Sequence, residues 1–442
     1  MSERKYWEPV ETLPRADLQA LQLQRLREHL TWARERSPYY ARSFAESKAP
    51  SDLKSLDDLR HFPFINKSIE RDRQLAAPLL GDLAAVPERD VVFVAASSGS
   101  TGVATLSPFT AQDFEDFQNA QARLFWGTGM RPTDRYVHAL NFTLFVGGPD
   151  VIGAQKLGAL CIWAGTVSSD RLLFIMKNLA PTSTWTTPSY AWHLGETARS
   201  QGIDPAKDLA IRRIIVAGEP GGSIPATRQA IEAMWKADLY DFYGISDIFG
   251  ACAGMCQEKH GLHLVEDQIL LEVIDPKTGE PVKGEEPGEL VMTTLQKKAR
   301  PMIRFRTGDI GRRLVEPCPC GRTHVRFVVQ GRLDDMFIVS GVNVFPSDVE
   351  FVVRDFPGLT GEYRVVVYTE ERLTRFDIEV EKQKNSQEQD ETLAEELRRR
   401  IALRVGVKPR QVRVLAEGEL PRSTHKAKRL IDRRGDEQKP AG

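Results

Sequence analysis

Val91-Val-Phe-Val-Ala-Ala-Ser-Ser-Gly-Ser-Thr-Gly102 joins an apolar run to a loop of small and hydroxylated residues. The first six residues have the composition of a strand. The loop that follows, Ser97, Ser98, Gly99, Ser100, Thr101 and Gly102, lets backbone N–H groups approach a polyphosphate while the hydroxyls add hydrogen bonds. It lacks the terminal Gly-Lys-Ser/Thr of a P-loop, and Gly102 runs on into Val103-Ala-Thr105 with no lysine. Taken alone, a Ser/Gly-rich turn ahead of a helical stretch is often only a turn.

Outward from this loop the texture is alternating. Strands are expected at 136–140, 159–163, 183–186 and 213–217, and helices at 111–126, 149–156, 170–179, 190–201 and 224–235. Such alternation calls for α/β layers around a mostly parallel sheet. Upstream, Pro14 and Asp17 start a helix whose apolar spacing runs from Leu18 to Ala33, and Ser37-Pro38 stops it. Beyond residue 264, short strands at 264–274, 288–294 and 311–314 separated by turns suggest a β-rich subdomain over about 264–330. From Gly331 onward the order helix, strand, strand, helix, strand (349–356, 363–369, 376–380, 391–405, 411–414) describes a compact α+β unit.

Composition narrows the classes. Lys and Arg total 60 against 61 Asp and Glu, a formal charge of −1, which argues against non-specific binding to nucleic acid or an anionic membrane. The longest apolar runs are strand-sized, and Met1–Leu13 holds no secretory signal, so a cytoplasmic enzyme is expected. Five cysteines, an odd number, make a disulfide framework a poor expectation.

Several further motifs follow in order: Tyr243-Gly-Ile-Ser-Asp247, Arg306-Thr-Gly-Asp309, Gly331-Arg-Leu-Asp-Asp335 and Pro421-Arg-Ser-Thr-His-Lys426. With the loop at 97–105, this series resembles the signatures of the adenylate-forming superfamily. Within it the chain looks like a phenylacetate–CoA ligase, on Tyr6-Trp-Glu-Pro, Ser37-Pro-Tyr-Tyr40, Phe62-Pro-Phe-Ile-Asn-Lys67, Thr187-Pro-Ser-Tyr-Ala191, Cys318-Pro-Cys-Gly-Arg-Thr-His324 and Gly341-Val-Asn-Val-Phe-Pro346. The resemblance covers nearly the whole chain. It implies a large multi-subdomain N-terminal adenylation domain (1–332) and a small α+β C-terminal lid domain (333–442), with a hinge at Asp334.

What the resemblance implies for the residues is specific. Asp247 stands where the family holds Mg²⁺, with Asp in place of the commoner Glu. Tyr243, Gly244 and Ser246 precede it, Tyr243 beside the adenine, and Glu219 and Pro220 resemble the segment lining the base. Asp309 would accept from the ribose hydroxyls, and Arg332 would contact the ribose or a phosphate. Lys426 takes the place of the adenylation lysine, a mobile charge that bridges carboxylate and α-phosphate in the transition state; His425 stands where Gly is common. Tyr136, His138, Phe142, Phe145 and Tyr190 would line an aromatic acid pocket. Without a lysine in the loop, one phosphate charge goes unmet there, and weaker ATP binding is expected.

Cys256, His263, Cys318 and Cys320 offer a Cys₃His set suited to a closed structural Zn²⁺ site. Cys252, His260 and His324 are alternative ligands. The activity implied is ATP- and Mg²⁺-dependent conversion of an aromatic carboxylic acid to its adenylate, then to a coenzyme A thioester. Two other readings remain: transfer to a carrier protein or an amine, and a nucleotide-binding regulatory protein without turnover. A homodimer is the default assembly.

Overall fold

The computed structural model describes residues 5–77, 79–97, 104–140, 142, 147–248, 250–340, 342–370, 373–421 and 429–434. Its backbone is organised by one twelve-stranded mixed sheet. Five strands are parallel; four follow the expected alternation, and the fifth, Asp238–Gly244, is not among the strands expected. Asp238–Gly244, Arg213–Val216, Ser183–Thr186, Arg135–His138 and Leu160–Trp163 lie side by side in that order. Beyond Asp238–Gly244 the sheet turns antiparallel through Ala251–Gly254, Leu262–Leu264, Arg326–Arg332, Phe305–Leu314, Gly288–Thr294 and Ile269–Ile274. The strands expected in a β-rich unit after residue 264 are therefore hydrogen-bonded into the same sheet as the parallel ones. Ser183–Thr186 and Gly288–Thr294 are buried along their whole length.

The helix Arg15–Arg36 ends at Ser37, as the proline at 38 requires. Ala251–Gly254 and Arg326–Arg332 are not among the strands expected, and three further details differ from the sequence expectation. The run 264–274 is two strands, because Glu266 and Asp267 are buried between them and pulled out of the ladder: Arg15 Nη2 lies 2.6 Å from Glu266, and Arg123 holds Asp267. Second, the loop after Ser97 does not lead straight into a helix. A strand, Leu106–Thr110, comes first and pairs antiparallel with Val91–Ala96, with Pro108 in a two-stranded sheet that tolerates a missing donor. Only then does Ala111–Gly127 begin, capped by Thr110 and Asp113 in a reciprocal capping box. Third, Leu430–Asp432, in the charged tail, is a strand.

That last strand completes a separate four-stranded sheet, Val412–Leu415, Leu373–Lys382, Leu359–Glu370 and Leu430–Asp432. Helices Pro346–Arg354 and Asp390–Val405 cover it. Their apolar stripes, Val349 and Val353, Leu397 and Ile401, meet Val365, Val367, Phe376 and Ile378 in one core. No described helix is long and apolar enough to cross a membrane.

Candidate functional site

The hairpin bearing the small-residue loop is closed at its root by the Ser97 N–H, which donates to the Thr105 carbonyl at 3.0 Å. Ser97 is described, whereas Ser98, Gly99, Ser100, Thr101 and Gly102 lie outside the described residues. At the root, Thr105 Oγ1 donates to Asp247 Oδ1 at 2.9 Å. Lys67 Nζ donates to both Asp247 oxygens, at 2.6 Å each, and also reaches Thr105 Oγ1. The segment 62–67 folds to present this ammonium. Ile65–Asn66 pairs with Phe305–Leu314, and Asn66 Oδ1 accepts the Ile69 N–H at 3.0 Å, starting the helix Lys67–Ala76.

One turn on, Glu70 is fully buried and lies 2.5 Å from Arg300 Nη2, which stands 4.0 Å from Asp247. Burial lifts the Glu70 carboxyl to about 7 even with Arg300 beside it. Burial would lift Asp247 too, but Lys67 and then Arg300 outweigh it and hold that carboxyl below its ordinary range. Lys297 is buried as well, and burial pushes its amine down to about 7. Its Nζ donates to Ser107 Oγ and the Ile248 carbonyl, both at 2.6 Å, so it ties the second hairpin strand to the loop after Tyr243.

A second cluster forms on the strand where the sheet changes from parallel to antiparallel. Tyr243, near the end of Asp238–Gly244, donates from its hydroxyl to Asp309 Oδ2 at 2.6 Å. Arg332 Nη1 donates to Asp309 Oδ1 at 2.8 Å, and its Nη2 reaches Asp334 Oδ2 at 3.1 Å. Burial and the Asp309 charge push the Tyr243 phenol well above its usual range. Two glycines are required by contact: a Cβ on Gly244 would lie 2.2 Å from the Gly250 carbonyl, and Gly308, at φ +73°, faces Arg332. Ser246 is half-buried between Tyr243 and Asp247. Glu219 accepts the Ser189 N–H at 2.7 Å, at the start of the helix Pro188–Ser200, and Pro220 beside it is exposed.

Tyr136, His138 and Phe142 come together. Tyr136 and His138 are fully buried on the strand Arg135–His138, with the Tyr136 hydroxyl 3.0 Å from His138 Nδ1. The His138 ring lies 5.0 Å from Phe142, which stacks on Trp163 at 5.5 Å. Tyr190 is not part of this group; its hydroxyl pairs with Ser169 and its ring neighbours His193. Phe145 lies outside the described residues, as does Lys426.

Cys256, His263, Cys318 and Cys320 converge, with their ligand atoms all within 4.8 Å of one another. Cys256 Sγ and Cys318 Sγ are 3.7 Å apart and Cys320 Sγ is 3.5 Å from His263 Nε2. Two sulfurs tetrahedrally bound to zinc sit about 3.8 Å apart, so the set fits that ion. The alternatives are occupied elsewhere: Cys252 is in the core, Arg326 holds His260, and His324 bonds the Leu264 and Val10 carbonyls.

Lys67, Glu70, Thr105, Lys297, Arg300 and Asp150 were not singled out as site residues by sequence. Lys67 and Thr105 end quoted motifs, which was the available signal. Lys297 and Arg300 sit in a charged run with no periodicity to mark them.

The family described as AMP-binding enzyme matches residues 20–296, and the AMP-binding enzyme C-terminal domain matches 341–434. A phenylacetate-coenzyme A ligase of Thermus thermophilus is 34% identical over 97% of this chain and 99% of its own length. A crystal structure of 2-hydroxyisobutyryl-CoA ligase in the postadenylation state, with 2-HIB-AMP, is 31% identical. It covers 98% of this chain and 93% of its own, with a TM-score of 0.92. The same ligase in the thioesterification state, with 2-HIB-AMP and CoA, is again 31% identical and covers 98% and 94%, yet its TM-score is 0.74.

Proposed function

The chain belongs to the AMP-binding enzyme family, among the phenylacetate–coenzyme A ligases, and we propose that it activates an aromatic carboxylic acid with ATP and transfers the acyl group to coenzyme A. ATP-dependent adenylation of an acid and thioester formation follow from that membership; the aromatic acid and the residue roles are our reading. The observation that carries it is a convergence. Tyr243 and Asp247, four residues apart, reach Asp309 on one side and the root of the small-residue hairpin on the other.

The chemical obstacle is charge, since an anionic carboxylate must attack a phosphate already surrounded by oxygens. Lys67 answers part of it. Its ammonium lies at the root of a loop that has no lysine of its own, and transfer from Asp247 to a phosphate would keep it paired throughout. Asp247 is an oxygen ligand of the chemistry Mg²⁺ takes, but Lys67 already occupies both of its oxygens. The carboxylate would hold the ion once Lys67 has moved to the phosphate, and the ion would supply further neutralisation. Asp309 exchanges the Tyr243 hydroxyl and Arg332 for the ribose hydroxyls, and the Tyr243 ring and Glu219–Pro220 flank the adenine. Lys426 bridges the carboxylate and α-phosphate.

Residues 1–332 form the adenylation domain and 333–442 the lid, with Asp334 as pivot. The Asp334 side chain is 76% exposed, as a residue that must change its backbone angles requires. The higher similarity to a postadenylation structure than to a thioesterification structure of one ligase supports two lid positions. Cys256, His263, Cys318 and Cys320 would hold Zn²⁺ as a structural ion, since all four ligands come from protein.

Pyrophosphate exchange across a panel of aromatic acids, with and without coenzyme A, tests the reading. Acid-dependent exchange and release of aryl-CoA are expected. Exchange without any thioester would point to a carrier protein or an amine as acceptor. No exchange with any acid would leave a regulatory nucleotide-binding protein. For the zinc site, elemental analysis of tag-free protein should find about one zinc per chain, lost in Cys318→Ser; a metal-free wild type with unchanged thermal stability would remove the ion.

A further inference from the structure

At the acid end of the site, buried hydrogen-bonding groups lack partners among the described residues. His138 is fully buried; its Nε2 has no partner in hydrogen-bond geometry, and the backbone acting on the ring is that of Gly148. Asp150, the first residue of the helix Asp150–Leu157, is 1% exposed, and neither carboxyl oxygen has a partner. Tyr136 connects the two. Its hydroxyl is 3.0 Å from His138 Nδ1, and the Asp150 carboxyl is close enough to act on the phenol electrostatically. Asp150 Oδ2 is also 3.8 Å from the position a Cβ on Gly147 would take. Buried polar groups are ordinarily paired, and an exception needs an explanation.

We propose that the acid this chain accepts carries a hydroxyl group on its aromatic ring, bound by His138 Nε2 and the Asp150 carboxyl. The proposal rests on the aryl-acid reading above. Phe142 and Trp163, stacked within reach of the His138 ring, give the aromatic wall. His138, Tyr136 and Asp150 give the polar end. Charge selects the substituent. Burial holds the His138 imidazole down at about 4, which leaves it neutral near pH 7, and lifts the Asp150 carboxyl well above its usual range, which favours its protonated form. An imidazole and a carboxyl each offer a donor or an acceptor, matching a hydroxyl, which both donates and accepts. A second carboxylate on the ring would find no counter-charge in these groups. A site built to pair a hydroxyl rejects the analogue without one, because its own buried groups are then left unpaired.

The test is pyrophosphate exchange and aryl-CoA formation with phenylacetate, its 3- and 4-hydroxy derivatives and 2-hydroxyisobutyrate. It compares the wild type with Asp150→Leu, His138→Phe and Asp150→Asn. At least a tenfold higher kcat/KM for one hydroxyaryl acid over phenylacetate is expected. That ratio should fall toward one in Asp150→Leu and His138→Phe, and be partly kept by Asp150→Asn, which retains a donor and an acceptor. Equal kcat/KM for phenylacetate and both hydroxy derivatives would overturn the proposal while leaving the aryl-acid reading intact. So would a preference that both apolar variants keep. If a variant fails to fold, the wild-type ratio still decides. Turnover of 2-hydroxyisobutyrate above every aryl acid, or of none of the four, would defeat the aryl-acid reading itself and the proposal with it.

Discussion

Asp247 and Asp150 are carboxylates of nearly equal burial, 4% and 1% exposed, in opposite surroundings. Lys67, Thr105 and Arg300 meet Asp247, and its proton is held more loosely than usual. Asp150 meets no hydrogen-bond partner among the described residues, and its proton is held more tightly. Asp247 is thus charged and satisfied before any ligand arrives. A ligand there must exchange partners, Lys67 from Asp247 to phosphate and Asp309 from Tyr243 and Arg332 to ribose, so that few groups pass through an unpaired state. At Asp150 burial disfavours charge and the carboxyl is unsatisfied, and there a ligand completes what the fold leaves open. An unsatisfied buried group costs about 1–3 kcal/mol, which Asp150 bears in the free protein and Asp247 avoids.

The largest effect expected belongs to the cation that the contrast leaves out. Lys426→Ala should lower pyrophosphate exchange by roughly 100- to 1000-fold, the scale of removing one transition-state donor, with ATP affinity within a few-fold of wild type. Near-normal exchange would leave Lys67 as the cation that does the work, and the nucleotide end would need no help from the lid.

Next is Lys67→Met. Removing one member of a buried pair leaves the other charged and unmatched, at about 3–5 kcal/mol; with Lys67 partly exposed and Arg300 nearby, roughly 2–3 kcal/mol is expected by urea unfolding. The pH dependence carries the sign. Asp247 has a folded pKa below its unfolded value, so its contribution is present above the unfolded pKa of 3.8 and lost as pH falls through the folded one. The gap between wild type and Lys67→Met should therefore close on acidification below about pH 4. A gap constant with pH would mean that Asp247 gains nothing from Lys67.

Asp150→Leu should behave in the opposite way. Replacing an unpartnered carboxyl by an apolar side chain is neutral or stabilising, here by about 1 kcal/mol. Asp150 has a folded pKa above its unfolded 3.8, so the wild type loses stability as pH rises from that value toward the folded pKa. The advantage of Asp150→Leu should therefore be larger at pH 8 than at pH 4. A clear loss of stability at pH 8 would show that Asp150 has a partner in the free protein, and the contrast with Asp247 would collapse.

How much of this was legible differs between fold and site. Four parallel strands and their helices were readable from alternation, because each is a short run bounded by turn residues; the fifth, Asp238–Gly244, was not, since its two aspartates break the apolar run. Leu106–Thr110 was not, since Ser107-Pro108 reads as a breaker and only its pairing with Val91–Ala96 reveals a strand. The single strand expected over 264–274 failed because Glu266 and Asp267 are buried by partners more than a hundred residues away. At the site, Tyr243, Asp309 and Arg332 were legible from ordered motifs and do meet. Lys67 is marked in the sequence only as the end of the motif at 62–67, for nothing local distinguishes a lysine that crosses 180 residues to reach its carboxylate. Asp150 was invisible for the converse reason: an Asp after Pro at a helix start looks like ordinary helix-start chemistry, and only burial shows that it caps nothing.

The smallest effect concerns the loop itself. From the sequence, Val103→Lys would restore a charge that the loop lacks and tighten ATP binding. Val103 lies outside the described residues, but the root of its hairpin already carries an ammonium, since Lys67 touches Thr105 and Asp247 there. A second cation beside the first adds like-charge repulsion in the free protein, which offsets much of its attraction for phosphate. Val103→Lys should then change the ATP dissociation constant by less than about threefold, because surface charges contribute on the order of 1 kcal/mol or less. In the Lys67→Met background the same substitution should recover at least part of the lost affinity. Tightening in the wild type and none in the double variant would mean that Lys67 serves Asp247 alone. The nucleotide end would then be satisfied as a structural matter, and its phosphate charge met from elsewhere.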